Sequence, residues 1–459
     1  MRTEMTERAE VVVVGMRPGG EEVAGRLAEA GLDVIGIEEQ LVGGECPYWG
    51  CVPSKMMVRA AGLLAEARRI PGMAGDASVS SDWAPVARRI REEATDGWDD
   101  RVAVERFEAK GGRFVRGRAR LAGPGRVEVD GTTIEATRAI VVAAGTSPTV
   151  PPVPGLAETP YWTNREAIEA NDLPRSLIVM GGGAVGLELA QAFGRFGIEV
   201  TVIEARERLL PMEEPETGEI LTAVLEREGI AVRTWAKVTE VSWDGRRYDL
   251  ALEGQSGAVG DRLLVAAGRR ADLRALGVAS IGLDEDASAI AVDGRPRAAP
   301  DVWAVGDVTG VGAYTHVAYY QATIAVADIL GQWHPPADYR ALPRVTFTDP
   351  EVGSVGLTEA EAARRGHHLR VGQAQLPSST RGWIHKAGND GVIKLVEDAD
   401  AGVLVGATSV GPAGGEVLGL LALALHGRVP TQTLQGTIYA YPTFHRAIED
   451  ALRDLHRVA

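Results

Sequence analysis

Cysteine is scarce in this chain: 459 residues carry two. A scaffold stapled by disulfides is thereby excluded, and such sparse use fits a reducing compartment. Long apolar runs are missing as well. The first ten residues, MRTEMTERAE, are charged, and the run from Val11 to Val14 is too short for a signal-peptide core. A later run, Val417 to Leu425, is about half of what a membrane span requires and lies between Glu416 and His426. Positive charge is in deficit, with 48 Lys+Arg against 63 Asp+Glu and a net charge of −15. That balance opposes phosphate backbones and anionic lipid surfaces, so neither nucleic acid nor membrane is expected as a partner. No short repeats, low-complexity tracts or metal site are expected. A cytoplasmic location follows.

What is present is a globular, multidomain composition, 45% hydrophobic and 24% charged, in a chain long enough for about two to four cores. Glu10 to Gly15 reads as a β-branched strand ending in glycine, Gly19 to Ala30 as a helix stopped by Gly31, and Leu32 to Glu38 as a second strand. The same β-α-β grammar recurs in Ser176 to Met180, Ala184 to Phe196 and Glu199 to Glu204. Two nucleotide-binding units are therefore expected. The proline-rich Val141 to Gly155 marks a crossover out of the first, and Gly331 to Pro343 separates both from a C-terminal part of mixed strand and helix, such as Gly391 to Glu397 and Val417 to His426.

The second unit carries Gly181-x-Gly183-x-x-Gly186 between strand and helix, where glycines permit a tight turn and let backbone N–H groups approach a pyrophosphate. Glu204, at the end of the next strand, is placed to bind a ribose 2′-hydroxyl. A carboxylate there repels a 2′-phosphate and favours NADH over NADPH, moderated by Arg206 and Arg208. The first unit has Gly15, Gly19, Gly20 and the acid Glu38, but Arg17 replaces the middle glycine. Arg17 could point outward, pair with a diphosphate, or obstruct it.

The two thiols, Cys46 and Cys51, fall within six residues as C-x-x-x-x-C, a spacing that points to redox chemistry more than to packing. The surrounding segment Val42 to Lys55, VGGECPYWGCVPSK, resembles the active-site signature of the flavoprotein disulfide reductases, the class I pyridine nucleotide-disulfide oxidoreductases that include lipoamide dehydrogenase, glutathione reductase and mercuric reductase. AAGTSPTVPPVPG is similar to the crossover after the flavin strand, AVGDVTG at Ala304 to Gly310 to the second flavin motif, and Gly268-Arg269 to the return from the nicotinamide domain.

The resemblance implies an α/β fold of two Rossmann-like dinucleotide-binding domains and a C-terminal α+β dimerisation domain. The FAD domain would span residues 1–150 and 273–335, the NAD(P) domain 151–272, and the interface domain 336–459. A homodimer is implied, with each C-terminal part completing the partner's active site. FAD would be held by Gly15, Arg17, Gly19, Gly20, Glu38, Gly44, Lys55, Gly145, Asp307 and His316, with Asp307 on the ribityl chain. The nicotinamide nucleotide would be held by Gly181, Gly183, Gly186, Glu204 and Gly268. Hydride would pass from NADH to flavin N5 and electrons on to the disulfide, with Cys51 facing the flavin and Cys46 the substrate. Lys55 would lie near flavin N5 and pair with Glu188. Thr315 to Ala322 is expected to start a helix with Thr315 as its cap, its positive end aimed at the flavin, and His316 as a packing residue.

At the C-terminal site the chain departs from the best-known members. Tyr441 precedes Pro442-Thr443 where they have histidine, and Arg446 stands at the glutamate position. A tyrosine with an ordinary pKa of about 10 donates hydrogen bonds at neutral pH but does not serve as a general base. His445 is the alternative base. Loss of the acid–base dyad argues against lipoamide and glutathione, whose thiols need proton transfer. Mercuric reductases share the tyrosine but bring an additional C-terminal cysteine pair, which DALRDLHRVA does not contain. The expected acceptor is a disulfide or sulfur compound with an acidic leaving thiol. The alternatives are a quinone, as in a diaphorase, or a mercuric-reductase-like reaction. Trp383 and His385, in TRGWIHKAG, would line that pocket or sit on a folded hairpin.

Overall fold

The computed structural model describes residues 6–456 and divides into two compact units. The first comprises residues up to Pro53, Arg88–Thr149 and Gly268–Asp338. Its parallel core sets Thr6–Val14 between Val34–Glu38 and Thr132–Val142, with Val11 opposite both Val34 and Ala139. Arg113–Arg116 extends the sheet on one side and Val302–Ala304 on the other. The apolar run is continuous because both faces are covered: Val11 and Val13 pack with Leu27, Phe107 and Val326, whereas Val12 and Val14 pack with Leu121, Ile134 and Val278. The helices Pro18–Glu29 and Thr315–Ile329 lie against each other on the first of these faces.

The second unit comprises Ser54–Ala87, Val150–Ala267 and the chain from Tyr339 onward. Its parallel sheet runs Ala231–Arg233, Glu199–Ile203, Ser176–Met180, Arg262–Val265, beside a three-stranded meander of Val238–Trp243, Tyr248–Leu252 and Gln255–Gly260. A five-stranded antiparallel sheet follows, ordered Pro343–Thr346, Glu351–Gly356, Val403–Gly411, Val392–Asp398, Leu369–Gln375. The helices Gly414–His426 and Ala447–Leu455 bury Val417, Leu421, Ile448 and Leu452 against Ile393 and Leu395 of that sheet.

The residues around Trp383 form a short helix, Thr380–His385, and not the hairpin that is one of the two readings of TRGWIHKAG. Ser379 Oγ accepts the Gly382 N–H at 3.0 Å and so caps the turn. Gly382 is required for packing, since a Cβ there would lie 1.7 Å from the Leu376 carbonyl oxygen. Among the described residues no helix is long and apolar enough to cross a membrane.

Candidate active site

Two helices meet at the cysteines. Cys46 lies in the short helix Glu45–Trp49, entered through Gly44 at φ 63°. Cys51 opens the 18-residue helix Cys51–Arg68, whose positive end favours negative charge at that position. Both are free thiols, Cys46 half-buried and Cys51 exposed. Cys51 Sγ lies 3.4 Å from the Thr315 hydroxyl. The Cys46 thiol is pushed well above its ordinary range, first by its hydrogen bond to Cys51 and then by burial, with Thr315 acting in the opposite direction. The pair therefore favours holding one proton between two sulfurs. Cys46 also borders a cavity of about 420 Å³ with Tyr48, Val52, Asp99, Arg106 and Tyr319. Burial, then the charge of Asp100, pushes the Tyr48 phenol up to about 12, so it stays a donor there.

Thr315 is not a cap. Tyr314 occupies that position with extended backbone and no capping side-chain bond, and Thr315 is the first helical residue with its hydroxyl turned to Cys51. His316 stacks on Tyr314 with ring centroids 5.2 Å apart.

Within the second unit the structure brings Lys55 and Glu188 together at 2.6 Å. Glu188 is buried on the helix Ala184–Arg195, and its other oxygen accepts the Phe347 N–H at 2.8 Å. The Phe347 ring lies under the ammonium, 4.5 Å from Nζ to centroid. Sequence reading did not single out Phe347, which sits in no local motif.

The two glycine loops are built alike. Gly15 and Gly181 have φ of +92° and +118°. A Cβ on Gly20 would lie 2.0 Å from the Gly15 carbonyl oxygen, and one on Gly186 would lie 2.3 Å from that of Gly181. Glu38 accepts the N–H groups of Met16 at 2.9 Å and Gln40 at 3.0 Å. Glu204 accepts those of Gly182 and Arg206, both at 2.7 Å. Each buried acid thus ties its own loop. Nothing lies within 4 Å of a Cβ built on Gly183 or Gly268, which leaves space for a ligand to approach the backbone. Gly19, by contrast, packs against Val305 and Ala318.

Arg17 does not point outward. Its side chain lies over Gly44 and Gly145, where an added Cβ would come within 2.6 Å of Arg17 carbons, and Nη1 donates to the Thr146 carbonyl at 2.9 Å. Arg269 Nη2 donates to the same oxygen at 2.8 Å, and the Thr146 hydroxyl donates to Asp307 at 2.9 Å. Thr146 was not foreseen, although it directly follows Gly145. A cavity of about 180 Å³ runs past Gly15, Arg17, Glu38, Gly145 and Thr146. A helix N-terminus, glycine-lined backbone and two guanidinium groups fit a dinucleotide diphosphate.

At the C-terminal site Tyr441 is 66% exposed, so its phenol is available to a ligand. The Arg446 guanidinium sits 5.4 Å above its ring and pairs with Glu449 at 3.1 Å. His445 instead turns Nε2 to the Thr443 hydroxyl, at 3.4 Å, and sets its ring beside Tyr439. His385 lies edge-on to Phe444 at 5.4 Å, and burial lowers its pKa, while Trp383 stays exposed.

A dithiol at a helix start and two glycine-loop nucleotide units define a flavin- and nicotinamide-dependent disulfide oxidoreductase. The chain belongs to the pyridine nucleotide-disulphide oxidoreductases: residues 9–322 match that family's model and 342–452 its dimerisation domain. It is 34% identical to the dihydrolipoyl dehydrogenase of Chlorobaculum tepidum, over 97% of this chain and 96% of the relative. It is 33% identical to the mercuric reductase of Acidithiobacillus ferrooxidans, over 97% and 82%. Among solved structures, LpdA from Mycobacterium tuberculosis superposes with a TM-score of 0.85 at 25% identity, covering 98% of this chain and 100% of that one. The HOCl-induced flavoprotein disulfide reductase of Escherichia coli shares the fold with a TM-score of 0.84 at 24% identity, covering 97% and 99%. The protein is thus an FAD-dependent pyridine nucleotide-disulfide oxidoreductase.

Proposed function

We propose that this enzyme uses NADH, in preference to NADPH, to reduce a disulfide or other sulfur compound with an acidic leaving thiol, as a homodimer. The observation that carries the reading is the thiol pair: Cys51 at the helix start beside Thr315, Cys46 bonded to it and opening onto the cavity. Bound flavin supplies the two-electron relay between nicotinamide and sulfur. The chain's own residues do the rest. Cys46 passes its proton to Cys51 across their hydrogen bond as it attacks one sulfur of the acceptor disulfide and expels the other as thiolate, which takes that proton from Cys51 in turn. Cys51 then attacks Cys46 Sγ, closes the intramolecular disulfide and releases the second product thiol, so one dithiol is oxidised for each disulfide reduced. By resemblance to the family, Lys55, paired with Glu188, would serve as the cation near the flavin, and Asp307, which receives the Thr146 hydroxyl, as the ribityl anchor. His316 acts as packing.

The nucleotide preference is supported by the Glu204 carboxylate, and Arg208 is engaged by Glu207 and the Pro211 carbonyl. The acidic leaving thiol is supported by the C-terminal site, where Tyr441 donates and Arg446 adds positive charge in place of an acid–base dyad. His445, turned to Thr443, is the base candidate that geometry favours less. The same absence of a dyad supports a second reading, direct reduction of a quinone by the flavin. The experiment is to measure NADH-dependent disulfide reduction and NADH-dependent quinone reduction in parallel for wild type and Cys46→Ser. Loss of the first with survival of the second is the expected result. Quinone reduction that survives in Cys46→Ser, with no disulfide reduction in the wild type, would establish the quinone reading instead.

A further inference from the structure

Arg17 occupies the middle position of a glycine loop, and the loop's backbone explains why it is tolerated. Its φ and ψ are −74° and 176°, against −86° and 177° for Gly183 in the second loop. Any residue adopts that conformation, so glycine is not needed there for the turn. What glycine leaves is room, as the empty space above Gly183 shows. Arg17 fills the corresponding room with a side chain that lies along Gly44 and Gly145, whose φ angles are 63° and 65°.

The electrostatics of this arrangement are unbalanced. Arg17 is half-buried and donates to a neutral oxygen, the Thr146 carbonyl, at 2.9 Å. Arg269 reaches the same oxygen at 2.8 Å and has the Glu45 carboxylate 3.6 Å away. Among the described residues Arg17 has no carboxylate within ion-pair distance. Two guanidinium groups therefore share one carbonyl, and a half-buried cation lacks an anion where screening by solvent is reduced. A phosphate offers a guanidinium an opposite charge and a bidentate fit that a neutral carbonyl does not.

We propose that Arg17 is a diphosphate clamp for the flavin dinucleotide. It exchanges the Thr146 carbonyl for a phosphate oxygen, uncovers Gly44 and Gly145 as it moves, and acts together with Arg269 as a pair of cations on the diphosphate. The inference rests on the flavin site lying in the first unit.

The test uses full-length protein stripped of flavin. FAD and riboflavin, which carries no phosphate, are titrated at low and high salt and followed by quenching of flavin fluorescence, with wild type, Arg17→Gly and Arg17→Lys compared. Arg17→Gly is expected to weaken FAD binding by roughly 10-fold at low salt, to leave riboflavin binding unchanged, and to lessen the salt dependence, with Arg269 keeping the remainder. Arg17→Lys keeps the charge without the fork and is expected to fall between, which preserves the test should the glycine variant fail to fold. FAD binding to either variant as tight as, or tighter than, to wild type would overturn the clamp and show the side chain to be an obstruction, while leaving the flavin reading intact. FAD uptake by no form of the protein would overturn both.

Discussion

Lys55 and Glu188 stand 2.6 Å apart although 133 residues separate them, and the carboxylate holds the Phe347 N–H with its second oxygen. One buried group thus joins three separate stretches of the second unit. Glu188→Gln retains an acceptor for Phe347 but removes the charge, and it is expected to lower stability by about 1–3 kcal/mol, less if the partly exposed Lys55 rehydrates. Urea unfolding of the two proteins measures this directly. An unchanged midpoint would mean that the ion pair contributes nothing to the fold.

Cys46→Ser should reduce turnover with disulfide acceptors by more than about 100-fold, because the attacking sulfur is gone. Steady-state rates with a small aromatic disulfide check it. Cys51→Ser should be equally impaired in turnover yet still accumulate a mixed disulfide at Cys46, visible by intact mass.

The thiol pair should ionise in two well-separated steps. The hydrogen bond to Cys51 and burial both raise Cys46, so its proton is retained more tightly in the folded than in the unfolded chain. Folding of the dithiol form is therefore favoured by Cys46 below the ordinary thiol value of 9.0, and that contribution fades as pH rises above it. Ultraviolet thiolate absorbance of the reduced protein should show the two thiolates appearing in separate steps, the second only well beyond 9.0, whereas a simultaneous loss of both protons would contradict the geometry.

Tyr441→Phe removes a single exposed donor and should leave folding untouched while lowering kcat/KM for the acceptor by roughly 3- to 10-fold, the weight of one hydrogen bond. Arg446→Gln should act in the same direction, and more at low salt than at high. Parallel kinetics at two ionic strengths separate the two contributions.

Local spacing made much of the site legible. Each glycine loop lies within about two dozen residues of its own acid, Gly15 and Gly20 with Glu38 and Gly181 and Gly186 with Glu204, and the two thiols lie closer still, so strand, turn and helix fix the geometry locally. What the sequence hid is what folding brings from afar. Phe347 reaches Glu188 across 159 residues, Asp307 receives Thr146 across 161, and Thr315 meets Cys51 across 264. The hairpin, one of the two readings of the segment around Trp383, is replaced by a helix that Ser379 caps, in which Gly382 is a site of close backbone packing with Leu376 that no local pattern announces.

The two tethering acids bear on any attempt to re-engineer the choice of nucleotide. Exchanging Glu204 for a neutral or basic residue, the obvious route toward accepting a 2′-phosphate, also cuts the Gly182 and Arg206 N–H groups loose in one stroke. A serine or threonine brings one oxygen on a shorter arm, where Glu204 uses two separate oxygens for the two N–H groups. A laboratory variant with switched cofactor use would therefore need a compensating change in the loop itself, and single substitutions at 204 should trade selectivity for a slacker grip on either nucleotide.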